Sequence, residues 1–512
     1  MRLSQKSPTI VVYSNGSSII AEDNSQHSRS IANADPSSAV SVQNLIASVF
    51  ARLTTLGGGH AFFNAGTYLM NSVLAVPDNA VIGGTPGLTN FDIAGASSSQ
   101  NHFTLGNNCQ LRGLQLIGTG ARTKPIGGIY ASGKSNFLIE DLVIAGGKDG
   151  IRLDGCSDFQ IRRYVAHDLH GTVGSEWAPG FNPCNCNRGV LEHFKIYDSD
   201  RAIEVEDGSN NITVRHGYIY NITNDEPTLN IPFALNIHWH GAGYYTAPTF
   251  IKFDDIVLLN CYSGLLVYNF GDGCCADRIY VSAQTSPVAG AASISPNVDT
   301  RAGFKLSNSY FASAQTAHHM VVCDESSGAG AGSVLDNVGA YCSGTGAHFG
   351  FDILGRLTVL RNCQAYGSIG FNVNSNANLI ACKSIKSGDS YYFGSSSSRC
   401  LVSGCFATGN AILYGDYHRF ENNDFASFVI NGANLHTVFI NNKLYVIQNN
   451  GSSTGTGSEQ TIAHGLNAIR PGVSAWAKYL IGTRYITEII PFDATNIYPT
   501  VETGVAYEWR IE

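Results

Sequence analysis

Two glutamates one residue apart, Glu204 and Glu206, stand in the run Asp200–Asn221, DRAIEVEDGSNNITVRHGYIYN. Ile203, Val205, Ile212 and Val214 alternate there with polar residues, the period of half-buried strands joined by the turn Asp207-Gly208-Ser209-Asn210. That alternation puts both carboxylates on the outward face of one strand, about 7 Å apart from the strand rise. Carboxyl pairs at such separations serve as general acid and base in glycoside hydrolysis. Asp154, in Ile151-Arg152-Leu153-Asp154, and His238, in Leu235-Asn236-Ile237-His238, are the other outward groups able to move protons.

The elements that must position these groups are coils of a repeat. Ser135–Gly155 lies on Asn187–Glu206 without a gap, matching Ile139 with Leu191, Leu142 with Phe194, Ile144 with Ile196 and Ile151 with Ile203. Thr249–Tyr268 fits the same frame with one extra residue, putting Ile256, Leu258, Leu265 and Val267 in the apolar slots. Asn362-Cys363, Ala381-Cys382, Gly404-Cys405, Asn423-Asp424 and Asn442-Lys443 fall in equivalent slots 19, 23, 19 and 19 residues apart. A period near twenty with short strands and Gly/Asn turns predicts stacked coils of parallel strands sharing one core. Cys363, Cys382 and Cys405 are then expected to stack as small buried groups.

Stacking also aligns the outward residues. One column reads Tyr130, Arg152, Glu204 and Leu266; its neighbour reads Ser132, Asp154, Glu206 and Tyr268. Leu235–His238 is expected to supply an intervening coil with His238 beside Glu206, and residues 170–176 another between Asp154 and Glu206. Asp154 and Glu206 would then lie roughly 9–10 Å apart, near the upper limit for an inverting pair. The sequence does not rank this pair against Glu204 with Glu206, and solvated acids on an exposed face would give the same pattern.

Two long interruptions, Leu169–Asn187 and Thr223–Pro248, flank the acidic strand. They contribute His170, Glu176, Trp177 and Phe181, then Asp225, Glu226, His238, Trp239, His240, Tyr244 and Tyr245. Aromatic rings stack on sugar faces while carboxylates and imidazoles bond hydroxyls, so the expected partner is a polysaccharide or glycan. The expected catalytic set is Glu206 first, then Glu204, Asp154 and His238. Arg152, Glu176, Trp177, Trp239, His240, Tyr244 and Tyr268 are expected to touch substrate, although core packing is an equal reading for Trp239. His238-x-His240 could form a metal pair, but no third ligand is assignable, and no metal or other cofactor is expected.

Composition agrees with a solenoid. In 512 residues only 14% are charged, 56 are Gly and 44% are hydrophobic, which suits many short strands and excludes disorder. The net charge of −8 and the lack of a long basic run disfavour a nucleic-acid partner. The 13 cysteines show no disulfide-framework or zinc-ribbon spacing. The start, MRLSQKSPTIVVYSNGSS, has no apolar core of signal-peptide type, and nothing approaches a membrane span. Val42, Leu45, Ile46, Val49, Phe50 and Leu53 recur at helical spacing before Gly57-Gly58-Gly59, predicting a helix that caps an open end. The expected organisation is an N-terminal arm over 1–38, a β-helix with its capping helix over 39–447, a linker over 448–459 and a β-sandwich-like domain over 460–512. Strand-like runs at Thr9–Tyr13 and Ser18–Ala21 mark an arm that attaches elsewhere or lies along the body.

The helix, the coils and the run Gly57-Gly58-Gly59-His60-Ala61-Phe62-Phe63-Asn64-Ala65-Gly66-Thr67-Tyr68 resemble the pectate-lyase-like right-handed parallel β-helix superfamily, tailspike-type proteins most of all. The terminal segment, with His464-Gly465-Leu466 and Tyr507-Glu508-Trp509, resembles small C-terminal domains on viral and archaeal β-helix proteins. The resemblance implies an all-β fold. It also implies a virion spike, extracellular in action and homotrimeric, that binds and can depolymerise a host polysaccharide, as hydrolase or lyase. A non-catalytic surface adhesin and a secreted polysaccharide lyase are the alternatives. The Asp-Asp pair usual in the family's glycosidases is missing, its places being taken by Asp149-Gly150-Ile151 and Arg201-Ala202-Ile203.

Overall fold

The computed structural model describes residues 9–26, 29–93, 101–118, 128–147, 149–171, 178–223, 233–241 and 245–282. Beyond these it describes 291–295, 303–313, 320–323, 332–342, 349–354, 357–367, 369–374, 376–385, 389–395, 397, 399–414, 417–430, 437–440, 442–444, 450–454, 456, 462–463, 475–481, 484–490, 496–500, 503 and 505–511. Among these residues, 41 strands form one continuous hydrogen-bonded system, nearly all parallel, each strand pairing with its counterpart in the next coil.

Each coil has three faces. The first stacks Ile129–Ser132, Ile151–Asp154, Pro179–Cys184, Arg201–Glu206, Leu235–His238 and Leu265–Tyr268. The other two are halves of one long strand per coil, such as Ser157–His167, Asn187–Ser199 and Asn210–Ile222. These strands bend at a left-handed residue, Arg163, His193 and His216, with φ of 50°, 55° and 56°. That region is costly for a side chain other than Asn, Asp or Gly, so stacking between coils must hold it. Later the two halves separate: Lys305–Ser307 and Tyr310–Ser313 both pair onto Cys275–Ser282.

The core columns follow the expected register. Ile139, Ile161, Leu191, Val214 and Phe253 are stacked neighbours, as are Ile151, Phe181, Ile203, Leu235 and Leu265. The gapless sequence alignment therefore paired coils two apart, with the coil carrying Ile161 and Phe181 between them. Cys363, Cys382 and Cys405 do stack, all buried, with Cys382 N donating to Cys405 Sγ at 3.4 Å. Beyond Cys405 the sequence register is one residue off. Asn423 and Asn442 continue the column, Asn423 Oδ1 accepting from Cys405 N at 2.8 Å. All thirteen cysteines are free thiols.

At the N-terminal end the helix Ala39–Thr55 covers the first coil. Ser38 caps it, its Oγ accepting from Ser41 N at 3.2 Å, and its buried residues include the six expected from spacing. The arm is part of this cap. Ile10–Ser14, Ile19–Asp23 and Arg29–Ala34 pair antiparallel, and the first also pairs with Gly59–Phe63 of the opening coil. Arg52 Nε binds Asp23 Oδ2 at 2.7 Å, tying arm to helix. No described helix is long and apolar enough to cross a membrane.

The chain ends in a separate antiparallel sheet ordered Asn450–Thr454, Ala506–Ile511, Ala475–Ile481 and Arg484–Ile490. Asn450–Thr454 corrects the linker reading: its Gly/Ser composition suits a linker, but Ala506–Ile511 supplies a partner strand in register. His464, Gly465 and Leu466 lie outside the described residues.

Candidate functional site

The outward face of Arg201–Glu206 lies within two columns of side chains. Asp154, Cys184, Glu206, His238 and Tyr268 follow one another across adjacent strands. Beside them run Arg152, Asn182, Glu204, Asn236 and Leu266, Asn182 Nδ2 donating to the Glu204 carbonyl at 2.9 Å. His238 thus neighbours Glu206 as expected. The coil between Asp154 and Glu206 comes from Pro179–Cys184, not from residues 170–176, so the second half of the supposed first insertion is a strand. Two strand spacings separate Asp154 from Glu206, roughly 9–10 Å.

The two glutamates differ sharply. Glu204 is 4% exposed, and its carboxylate is engaged by Arg201 and by Asn236 Nδ2, the latter at 3.0 Å. These two partners hold the Glu204 side chain in place on the strand face. Glu206 is partly open to solvent. Burial first, and the nearby Glu204 charge second, push its carboxyl up to about 7, while Asn182 and His240 oppose the rise. Glu206 therefore keeps a proton near neutral pH, as a general acid requires. Burial, with the nearby His240, pushes the His238 imidazole down, so it stays neutral in the same range. Asp154 is partly buried at the other end of the pair.

The aromatic surroundings are only partly those expected. Tyr268 and Tyr245 are exposed by 41% and 48%. Trp239 is half-buried, with Nε1 donating to the Tyr245 carbonyl at 2.6 Å, which holds the two rings' segment together. Phe181 is not a groove residue: it points inward and is fully buried in the core. His170 is tied to the buried Asp200 at 3.1 Å, and Arg152 is exposed on the column face. Glu176, Trp177, Asp225, Glu226 and Tyr244 lie outside the described residues. One coil before Asp154 an open cavity of about 540 Å³, lined by Tyr130, Ser132, Lys134 and Asp78 among others, extends the same face.

Arg201, Asn182 and Asp207 are site residues that sequence reasoning missed. Asp207 is buried, with Oδ2 on His240 Nδ1 at 2.7 Å and Oδ1 accepting from His240 N at 2.8 Å. It ends the acidic strand, which was the available signal. Glu206, His238 and His240 each offer a ligand atom within 4.8 Å of the others, so the third partner for the histidine pair is on the adjacent strand.

No family model and no curated protein matches the sequence. Solved structures do. One substituted form of the tailspike protein of E. coli bacteriophage HK620, in complex with a pentasaccharide, matches with a TM-score of 0.52 at 10% identity, over 99% of this chain and 98% of that one. A second substituted form of that tailspike, also with a pentasaccharide, gives 0.51 at 11% identity over 94% and 91%. The A-module of an Azotobacter vinelandii mannuronan C-5 epimerase gives 0.36 at 12% identity over 79% and 96%. In fold, this chain is a right-handed parallel β-helix of the kind found in tailspike proteins.

Proposed function

We propose that this chain is a spike-type β-helix that binds a polysaccharide along its first face and hydrolyses it with inversion between Glu206 and Asp154. The observation that carries this reading is the outward pair in one column, two strands apart. That separation leaves room for a water opposite the leaving group. Glu206, retaining its proton, would protonate the departing glycosidic oxygen; Asp154 would take a proton from the attacking water. Glu204 and Asn182 act as positioning residues, Glu204 also helping to hold the proton on Glu206 through its charge. Tyr268 and Tyr245 supply stacking faces for sugar rings, and Arg152 a hydrogen-bonding group beside Asp154.

The pentasaccharide carried by the similar tailspike supports a glycan as ligand. We take the protein to act outside the cell as part of a virion, as a homotrimer, with the three-stranded arm nearest the attachment point. The domain boundaries proposed are an arm built into the cap, the β-helix, and a terminal β-domain opening at Asn450.

The test is release of reducing ends from a panel of surface polysaccharides, comparing the wild type with Glu206→Gln and Asp154→Asn. Each substitution is expected to lower cleavage by about 10²–10⁴-fold while leaving binding in place. Binding without release by the wild type would favour the adhesin; unchanged release in both variants would remove these acids from the mechanism. Light scattering tests the trimer separately, and a monomer would contradict it.

A further inference from the structure

We propose that Glu206, His238 and His240 form a site for one divalent transition-metal ion, with zinc the best fit. The site needs nothing from the glycan reading. One carboxylate oxygen and two imidazole nitrogens lie within 4.8 Å of one another. Tetrahedral zinc with bonds of about 2.0–2.1 Å needs ligand atoms roughly 3.4 Å apart, so rotations moving each atom by about an ångström close the shell. The backbone is already in register. Glu206 and His238 are direct neighbours on adjacent strands, and the His238 and His240 rings sit 4.4 Å apart.

Asp207 supplies what an isolated cluster lacks. Its buried carboxylate holds His240 Nδ1 at 2.7 Å, which makes Nδ1 the protonated nitrogen and leaves the lone pair on Nε2. Its other oxygen accepts from His240 N, and its own N donates to the His238 carbonyl at 3.1 Å. A carboxylate behind a ligating histidine is the usual arrangement that orients the ring and raises its basicity. Two nitrogens and one oxygen suit zinc and its first-row neighbours, whereas calcium and magnesium require shells of oxygen. Three protein ligands leave a position open to the groove, for water or a sugar hydroxyl. A bound ion holds Glu206 as a carboxylate, so metal-loaded and proton-loaded states of the site exclude each other.

The experiment uses the full chain, stripped with EDTA, dialysed, and free of glycan. Zn²⁺ is titrated by calorimetry and Co²⁺ by its visible absorption. The expected result is one ion per chain. Asp207→Asn, which keeps all three ligands, should weaken binding about 10–100-fold. His240→Ala and His238→Ala should each weaken it more than that, and His216→Ala, paired with Asp255 elsewhere, should leave it unchanged. His240→Ala removes one partner of the buried Asp207 carboxylate, so circular dichroism checks that it folds, and His238→Ala, which leaves Asp207 paired with His240, tests the ligand set independently. No heat and no cobalt spectrum with the wild type, or wild-type binding in both ligand variants, overturns the proposal. Equal losses in His240→Ala and His216→Ala overturn it as well. Because no glycan is present, failure here leaves the cleavage reading standing, and the reverse holds too.

Discussion

Replacing Glu206 with Gln should make the protein more stable at pH 8 and leave it unchanged near pH 4. Burial and the Glu204 charge raise the Glu206 carboxyl from 4.5 to about 7 in the folded chain. Below 4.5 the group is protonated both folded and unfolded, so it contributes no pH dependence. Between 4.5 and 7 the folded state binds the proton and the unfolded state does not, so stability falls as pH rises. Above 7 the whole cost of ionising a buried, like-charged carboxyl is present, roughly 3 kcal/mol. Gln carries no such charge. With a melting entropy of about 2.1 cal/mol/K per residue, 512 residues give about 1.1 kcal/mol/K, so the variant should melt about 3 °C higher at pH 8 if the chain melts as one unit. Scanning calorimetry of both proteins in EDTA, at one scan rate, from pH 4 to pH 8 measures the difference. A constant offset at every pH, or a variant that melts lower at pH 8, would refute the reasoning that Glu206 holds its proton.

Arg201→Met should destabilise the protein by about 3–5 kcal/mol, because it strands the buried Glu204 carboxylate, and Arg201→Met with Glu204→Gln should recover most of the loss by thermal melting. Gly150→Ala should disrupt the face that carries Asp154, since a Cβ there would meet Gly180 O and Tyr164 Oη at 2.1 Å; a melting temperature within 1 °C of wild type, roughly 1 kcal/mol at this chain length, would contradict the packing. Alkylation of the native protein at pH 8, read by mass spectrometry, should be slow at every cysteine. Eleven are buried away from reagent, and burial raises the two partly open thiols, Cys184 to about 12 and Cys275 upward, whereas all thirteen should react once the chain is unfolded.

The solenoid was legible because its signal is repeated. Ile139, Leu191, Ile151 and Ile203 mark the core columns wherever the coil is examined, and the helix before Gly57 shows its face in six residues. The coil between them was hidden by its own chemistry. Pro179-Gly180-Phe181-Asn182-Pro183-Cys184 has two prolines and no β-branched residue, so only its neighbours in register make it a strand. The same effect governs Asn450–Thr454, whose composition reads as linker until Ala506–Ile511 pairs with it. At the site, strand alternation put Glu204 and Glu206 on one face but could not separate them. What separates them is the reach of Arg201 and Asn236 to Glu204, which depends on side-chain geometry and leaves no trace in spacing. His238-x-His240 lacked a third ligand in the sequence because Glu206 lies 32 residues before His238 and meets it only through coil stacking.

The central claim is that Glu206 and Asp154 act as proton donor and acceptor across one glycosidic bond. The most direct measurement is the anomeric form of the first product released from a polysaccharide that the wild type cleaves, followed by NMR alongside the rates of Glu206→Gln and Asp154→Asn. Product of inverted configuration and losses of about 10²–10⁴-fold in both variants are expected. Retained configuration, or full rates in both variants, would contradict it.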